Sequence, residues 1–189
     1  MSRLAGPVQQ LGIIVSDIDR EVDHWTRIGV GPFVMLSRMR FENYLYRGRA
    51  MAGPTVSLAI SYSGPLQIEI IQQHDDVPSA YTEYLAVSRG GLQHVATWVD
   101  TREEYDEKRA RLLDQGLTIV HEGNVEGFDA RFAYYAPPGQ PTFPFYEVSE
   151  GNLPLVRPLW AKLRHLVKTW DGTRPVRPVS EVLNLPNPD

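Results

Sequence analysis

The stretch Gln9-Gln10-Leu11-Gly12-Ile13-Ile14-Val15-Ser16-Asp17-Ile18 decides the fold once it is set against Gly90-Gly91-Leu92-Gln93-His94-Val95-Ala96-Thr97-Trp98-Val99. Leu, Ile and Val dominate the first stretch up to Val15, which reads as a buried strand, and Asp17 stands where a helix N-cap belongs. The second stretch repeats the plan. Gln10-Leu11-Gly12-Ile13-Ile14-Val15 aligns with His94-Val95-Ala96-Thr97-Trp98-Val99, and each is followed by a polar cap and a helix. Near the close of each copy, Ile68-Glu69-Ile70 matches Tyr146-Glu147-Val148. A repeated unit says more about a fold than any single motif does.

Working outward, Ile18, Val22, Trp25 and Ile28 form the apolar stripe of the first helix, and Gly29-Val30-Gly31-Pro32 stops it. Strands are expected over 33–41, 56–62 and 66–72, the last two joined by the turn Ser63-Gly64-Pro65. A connector with a short helix near 79–87 leads to a strand over 92–99, a helix over 101–115 stopped by Gly116, and strands over 118–122, 130–136 and 143–149. The expected fold class is α+β: two βαβββ modules, 7–73 and 91–150, whose sheet curves around one cavity in a domain spanning 1–150. Residues 151–189 form a C-terminal helix and a Pro-rich tail. Leu155, Leu159, Leu163, Leu166 and Trp170 give that helix an apolar stripe, flanked by Arg157, Lys162, Arg164 and Lys168, and 174–189 is expected to be extended. The stripe reads as packing on its own domain or on a second subunit. The basic flank could alternatively hold a phosphorylated or CoA-bearing substrate.

Composition removes several functional classes. With no cysteine among 189 residues, a disulfide framework, a thiolate zinc finger, an iron–sulfur cluster and a Cys nucleophile are all excluded. A hydrophobic share of 42% is ordinary for a globular protein. No unbroken apolar run approaches the ~18 residues of a membrane span, and the N-terminus lacks the apolar region of a signal peptide, so a cytoplasmic protein is expected. The net charge of −4, without a basic cluster in the first module pair, argues against nucleic acid as a partner.

Alternation places Gln10, Gly12 and Ile14 on one strand face, and His94, Ala96 and Trp98 on the equivalent face of the repeat. Glu69 shares a face with Gln67 and Ile71, and Glu147 with Phe145 and Ser149. Gln10, Glu69, His94 and Glu147 thus hold equivalent positions in two copies of one unit, all inside apolar strands. A buried carboxylate is costly unless paired or bound to a cation, and neither glutamate has a basic neighbour within two residues. A pseudo-twofold pairing of the modules would gather the four side chains around one cation. One amide, one imidazole and two carboxylates suit a divalent metal ion such as Zn, Co, Ni, Mn or Fe, and leave positions free for two substrate oxygens.

These segments, with Leu66-Gln67-Ile68-Glu69-Ile70-Ile71 and Phe145-Tyr146-Glu147, make the chain resemble the vicinal oxygen chelate superfamily, which includes glyoxalase I, methylmalonyl-CoA epimerase, extradiol dioxygenases and bleomycin-resistance proteins. The resemblance covers about 7–150 and implies the glyoxalase/bleomycin resistance/dioxygenase fold. It also implies a metal held by Gln10, Glu69, His94 and Glu147, and frequent dimerisation. Gln10 replaces the His usual in the epimerases, as in some glyoxalase I enzymes, and also departs from the two-His pattern of oxygen-activating sites. The implied function is a metal-dependent isomerase, epimerase or lyase that moves a proton α to a carbonyl through a metal-bound enolate. Glu147 is the preferred base and Glu69 its partner. The alternatives are a non-catalytic binder that sequesters a small ligand and a glyoxalase I-type lactoylglutathione lyase. The expected partner is a small carbonyl compound, aromatic or an acyl thioester.

Glu42, near the end of the second strand, is a candidate for a further acid/base glutamate. Trp98 and Phe145 share faces with His94 and Glu147 and are candidates for the pocket wall. His24, His74, His121 and His165 read as solvated.

Overall fold

The computed structural model describes residues 6–139 and 142–186. The first module comprises β1 (Gln10–Ile14), α1 (Ile18–Arg27), β2 (Phe33–Tyr46), the short β3 (Arg49–Ala50), β4 (Thr55–Ser63) and β5 (Leu66–Gln73). After α2 (Ala80–Leu85), the second comprises β6 (Gly91–Trp98), α3 (Arg102–Asp114), β7 (Thr118–Val125), β8 (Arg131–Ala136) and β9 (Phe145–Ser149). The caps follow from sequence: the Asp17 carboxylate accepts from the Arg20 N–H, and the Thr101 hydroxyl from the Glu104 N–H.

With β10 (Val176–Pro178) from the C-terminal region, the strands form one mixed sheet in the order β10-β2-β4-β5-β1-β6-β9-β8-β7, and a β2–β7 pairing joins its two flanks into a barrel-like curve. The modules therefore meet twice: β1 against β6 and β2 against β7, each antiparallel. Equivalent strands of the repeat pair with each other, which places the pseudo-twofold axis between Gln10–Ile14 and its copy.

Three apolar clusters follow from this curvature. Inside it lie Ile14, Leu36, Phe41, Leu58, Ile60, Trp98, Phe132 and Tyr134, among others. Outside, α1 covers Ile13, Val15, Ile68 and Ile70 of the first module through Ile18 and Val22. Likewise α3 covers Ala133, Tyr135 and Val148 of the second through Tyr105 and Leu112. A strand covered on both faces reads as a continuous run without polar side chains, as 11–15 does, whereas 68–71 is interrupted by Glu69.

The C-terminal region departs from the expected extended tail. α4 (Arg157–Lys168) packs Leu159 and Leu163 into the inner cluster with Leu58 and Ile60, and the Arg164 guanidinium lies 4.6 Å from the Tyr62 ring centroid. Burial of Leu163, with no exposed surface, contributes roughly 1.5–3 kcal/mol. The chain then adds β10 (Val176–Pro178) in parallel to β2, and α5 (Val179–Leu183), whose Val182 is also buried. An unpaired edge of β2 accounts for this: it offers hydrogen bonds that a Pro-rich segment can use in the strand conformation. Among the described residues, no helix is long and apolar enough to cross a membrane.

Candidate metal centre and active-site cavity

The register of four adjacent strands builds the site. Across β5-β1-β6-β9, Glu69, Gly12, His94 and Phe145 form one row, and Gln67, Gln10, Ala96 and Glu147 the next. The small residues Gly12 and Ala96 occupy the middle of the two rows. A Cβ on Gly12 would lie 1.7 Å from the His94 ring, so the imidazole folds over bare backbone at this position. That places His94 between the two glutamates: its Nε2 is 3.5 Å from a Glu69 carboxylate oxygen and 3.1 Å from Glu147 Oε2. His94 has no exposed side-chain surface, and Glu69 and Glu147 keep 12% and 8%.

A β-bulge orients the histidine. Gly12 pairs with His94 while Ile13 pairs with Leu92, so Gln93 is the extra residue and is fully buried beside His94. Its amide nitrogen donates to the Ala80 carbonyl at 3.1 Å, which turns Gln93 Oε1 toward His94 Nδ1 at 2.7 Å. The Nδ1 proton is thereby fixed and Nε2 faces the carboxylates. Burial alone would lower the His94 pKa, but Glu147 and Glu69 outweigh it and raise it to about 9. Burial pushes the Glu69 carboxyl upward from the ordinary carboxylate range.

Gln10 lines the same cavity, and its amide nitrogen donates to Gln67 Oε1 at 2.6 Å. Gln67 in turn donates to the Tyr62 hydroxyl at 2.9 Å, and with the amides in these orientations the Gln10 oxygen is the atom left to ligate a cation.

Among the described residues, no group of three or more His, Asp and Glu side chains forms a ready-made cation cage. The donor set nevertheless fits a divalent ion. Ligands about 2.1 Å from a common metal and roughly 90–109° apart lie about 3.0–3.4 Å from each other, close to the two Nε2–oxygen separations. Glu147 Oε2 is buried without a hydrogen-bond partner, which a cation would supply. Gln10, Glu69, His94 and Glu147 are the residues that could hold it.

The cavity beyond these groups is walled by Leu36, Phe41, Leu58, Ile60, Trp98, Phe132 and Trp160, and encloses about 750 Å³ with its open mouth. Tyr81 and Tyr134 add two phenols that sequence reading did not single out. Their hydroxyls are 3.3 Å apart, and that of Tyr134 is 3.2 Å from His94 Nε2. Burial raises both phenols well above their ordinary pKa, so they are neutral hydrogen-bond donors. Tyr134 pairs with Glu147 across β8 and β9, the position that Ile60 holds opposite Glu69. Only strand pairing reveals that equivalence.

Three expected placements differ. Glu42 is exposed and is not brought to the cavity, because its neighbour Phe41 takes the inward direction in the alternating strand. Trp98 lines the cavity, whereas Phe145 packs in the inner core against Phe143, with ring centroids 4.7 Å apart. His121 is buried rather than solvated, since a register shift between Ile119 and His121 in β7 turns it inward with Val120. It sits among Phe41, Tyr81, Phe132 and Tyr134, with Nδ1 3.1 Å from the Tyr44 hydroxyl. His24 and His165 are exposed, and His74 is half-buried, with Nε2 2.7 Å from Ser57 Oγ.

Residues 9–135 match the family model described as Glyoxalase/Bleomycin resistance protein/Dioxygenase superfamily. The chain belongs to that superfamily. No curated protein matches it. Among solved structures, this superfamily member is similar to a hypothetical protein from Bacillus halodurans C-125 at 18% identity and TM-score 0.49, covering 76% of this chain and 92% of that one. It is also similar to the methylmalonyl-CoA epimerase of Streptomyces coelicolor in complex with 2-nitronate-propionyl-CoA, at 17% identity and TM-score 0.48, covering 75% and 94%. The methylmalonyl-CoA epimerase from Mycobacterium tuberculosis is similar at 18% identity and TM-score 0.48, covering 79% and 90%.

Proposed function

We propose that the protein is a metal-dependent isomerase, epimerase or lyase that moves a proton on the carbon α to a carbonyl group. The observation that carries this reading is the convergence of Glu69 and Glu147 on His94 Nε2 at 3.5 and 3.1 Å inside an apolar cavity. Gln10, Glu69, His94 and Glu147 would hold the divalent ion, which when bound supplies Lewis-acid polarisation of the carbonyl. Glu147, buried and without a hydrogen-bond partner at Oε2, is the base that takes the α proton. Glu69 is the second carboxylate, able to return a proton. Tyr134 and Tyr81 donate hydrogen bonds where negative charge develops on the substrate oxygen. The apolar walls exclude water and strengthen each of these interactions. In this reading the partner is a diffusing small carbonyl compound, and the protein works as a cytoplasmic homodimer without nucleic acid or membrane.

The test is deuterium incorporation from D₂O into α-acidic carbonyl compounds, followed by NMR. Wild type is expected to exchange the α-hydrogen, and Glu147→Gln to slow exchange by ~10²–10⁴-fold. Tight retention of a ligand without exchange would instead indicate a sequestering binder.

A further inference from the structure

Glu150, at the end of the repeat, and Gly151, Val156, Leu159 and Trp160, beyond it, line the cavity, and all five lie beyond the matched residues 9–135. α4 lies on the inner surface of the first module, where Leu159 and Leu163 pack with Leu58, Ile60 and Tyr62. It thus fills space that the curved sheet alone would leave open, and it carries Trp160 to the cavity.

Trp160 is held in place rather than left to rotate. Its indole N–H donates to the Gly151 carbonyl at 2.8 Å, and its ring lies 6.0 Å from that of Trp98 at an interplanar angle of 17°. Gly151 permits this arrangement, because a Cβ there would come within 2.8 Å of the Trp98 ring. Two nearly parallel indoles therefore form a preorganised aromatic wall, with Phe41, Phe128 and Phe132 contributing further rings to the lining.

The charges of the lining point the same way. Among the described residues that line the cavity, the one cation is Arg131, and four of its five N–H donors are engaged within the protein. The guanidinium bonds Glu150 at 2.7 and 2.8 Å, Asp106 at 2.8 Å and the Arg102 carbonyl at 3.2 Å. Of the basic residues on α4, Lys162 donates to the Leu183 carbonyl and Arg164 covers Tyr62, and neither lines the cavity. A phosphate needs unpaired cationic groups, and the one guanidinium of this lining is already paired with two carboxylates.

We propose that residues 150–168 are the specificity element of this site, with Trp160 as its principal residue, and that they select a compact aromatic carbonyl compound over a phosphate-bearing acyl thioester. The proposal rests on the reading of the site as one that acts on a carbonyl.

Isothermal titration of the full chain with benzoin, acetoin and acetoacetyl-CoA tests it. Benzoin and acetoin share the hydroxy-ketone group and differ in the aromatic rings. Benzoin is expected to bind about tenfold more tightly than either of the others, Trp160→Ala to weaken benzoin about tenfold, and Trp160→Phe to keep it within about threefold. Acetoin affinity should be the same in all three proteins. Tighter binding of acetoacetyl-CoA or acetoin than of benzoin overturns the proposal, as does wild-type benzoin affinity in a folded Trp160→Ala protein. Should Trp160→Ala fail to melt cooperatively, the three-probe comparison in wild type and Trp160→Phe decides. Benzoin that binds but keeps its α-hydrogen in D₂O defeats the proton-transfer reading and leaves this one standing.

Discussion

Gly12 and His94 face each other across the β1–β6 ladder, and the imidazole of one occupies the volume that a side chain on the other would need. The glycine is a steric condition of the site. Gly12→Ala should force His94 out from between Glu69 and Glu147, at a cost of roughly 1–3 kcal/mol for overpacking. Urea denaturation would measure the loss and imidazole NMR the displacement. Unchanged His94 resonances in the variant would contradict this role.

Metal content gives the second prediction. Protein purified without a His tag should carry a divalent ion in a ratio near one per chain by elemental mass spectrometry. His94→Ala should strip most of it, because the Gln93–His94 pair presents the site's nitrogen ligand. Full occupancy in both His94→Ala and Glu147→Ala would place the metal elsewhere.

The third concerns acid. Burial holds the His121 pKa well below its ordinary value, with the His94 charge acting in the same direction. The unfolded chain therefore binds this proton first as pH falls. The stability contributed by neutral His121 is complete above pH ~6.5 and is lost below it, with a limiting slope of about 1.4 kcal/mol per pH unit. His121→Phe removes the titrating ring from a cage of aromatic side chains. Denaturation midpoints measured from pH 7 down to 5 should fall more steeply for wild type than for this variant, and parallel curves would refute the assignment.

A fourth follows from Glu150, which has no exposed surface and pairs with Arg131 at 2.7 Å. Arg131→Met leaves a buried carboxylate unpaired and should cost about 3–5 kcal/mol. Adding Glu150→Gln should restore part of that loss. A double variant as unstable as the sum of the singles would exclude coupling between them.

The repeated strand opening at Gln10 and His94 made both modules and their helices legible, since apolar period and caps are local properties. The pair Glu69 and Glu147 was legible as well, because an acidic residue inside an apolar strand stands out against the cost of burying it. Tyr134, Gln93 and His121 were not legible. Each owes its direction to pairing or to a bulge: Tyr134 to its partner Glu147, Gln93 to the extra residue opposite Gly12, and His121 to the shift after Ile119. A one-residue change of register reverses the face of a side chain, and a single strand carries no record of its partner's offset.

By itself the sequence determined that this is a two-copy βαβββ protein with no cysteine chemistry and with an amide, an imidazole and two carboxylates at equivalent positions. Only the tertiary structure decided which of the marked residues share the cavity, sending Glu42 to solvent and Phe145 to the core. It also decided that the C-terminal helix packs inside the curve of the sheet and brings Trp160 beside Trp98. The physical reason is the range of the forces concerned. Propensity, capping and alternation act within a few residues, whereas register, bulges and the docking of α4 are fixed by packing between segments far apart in the chain.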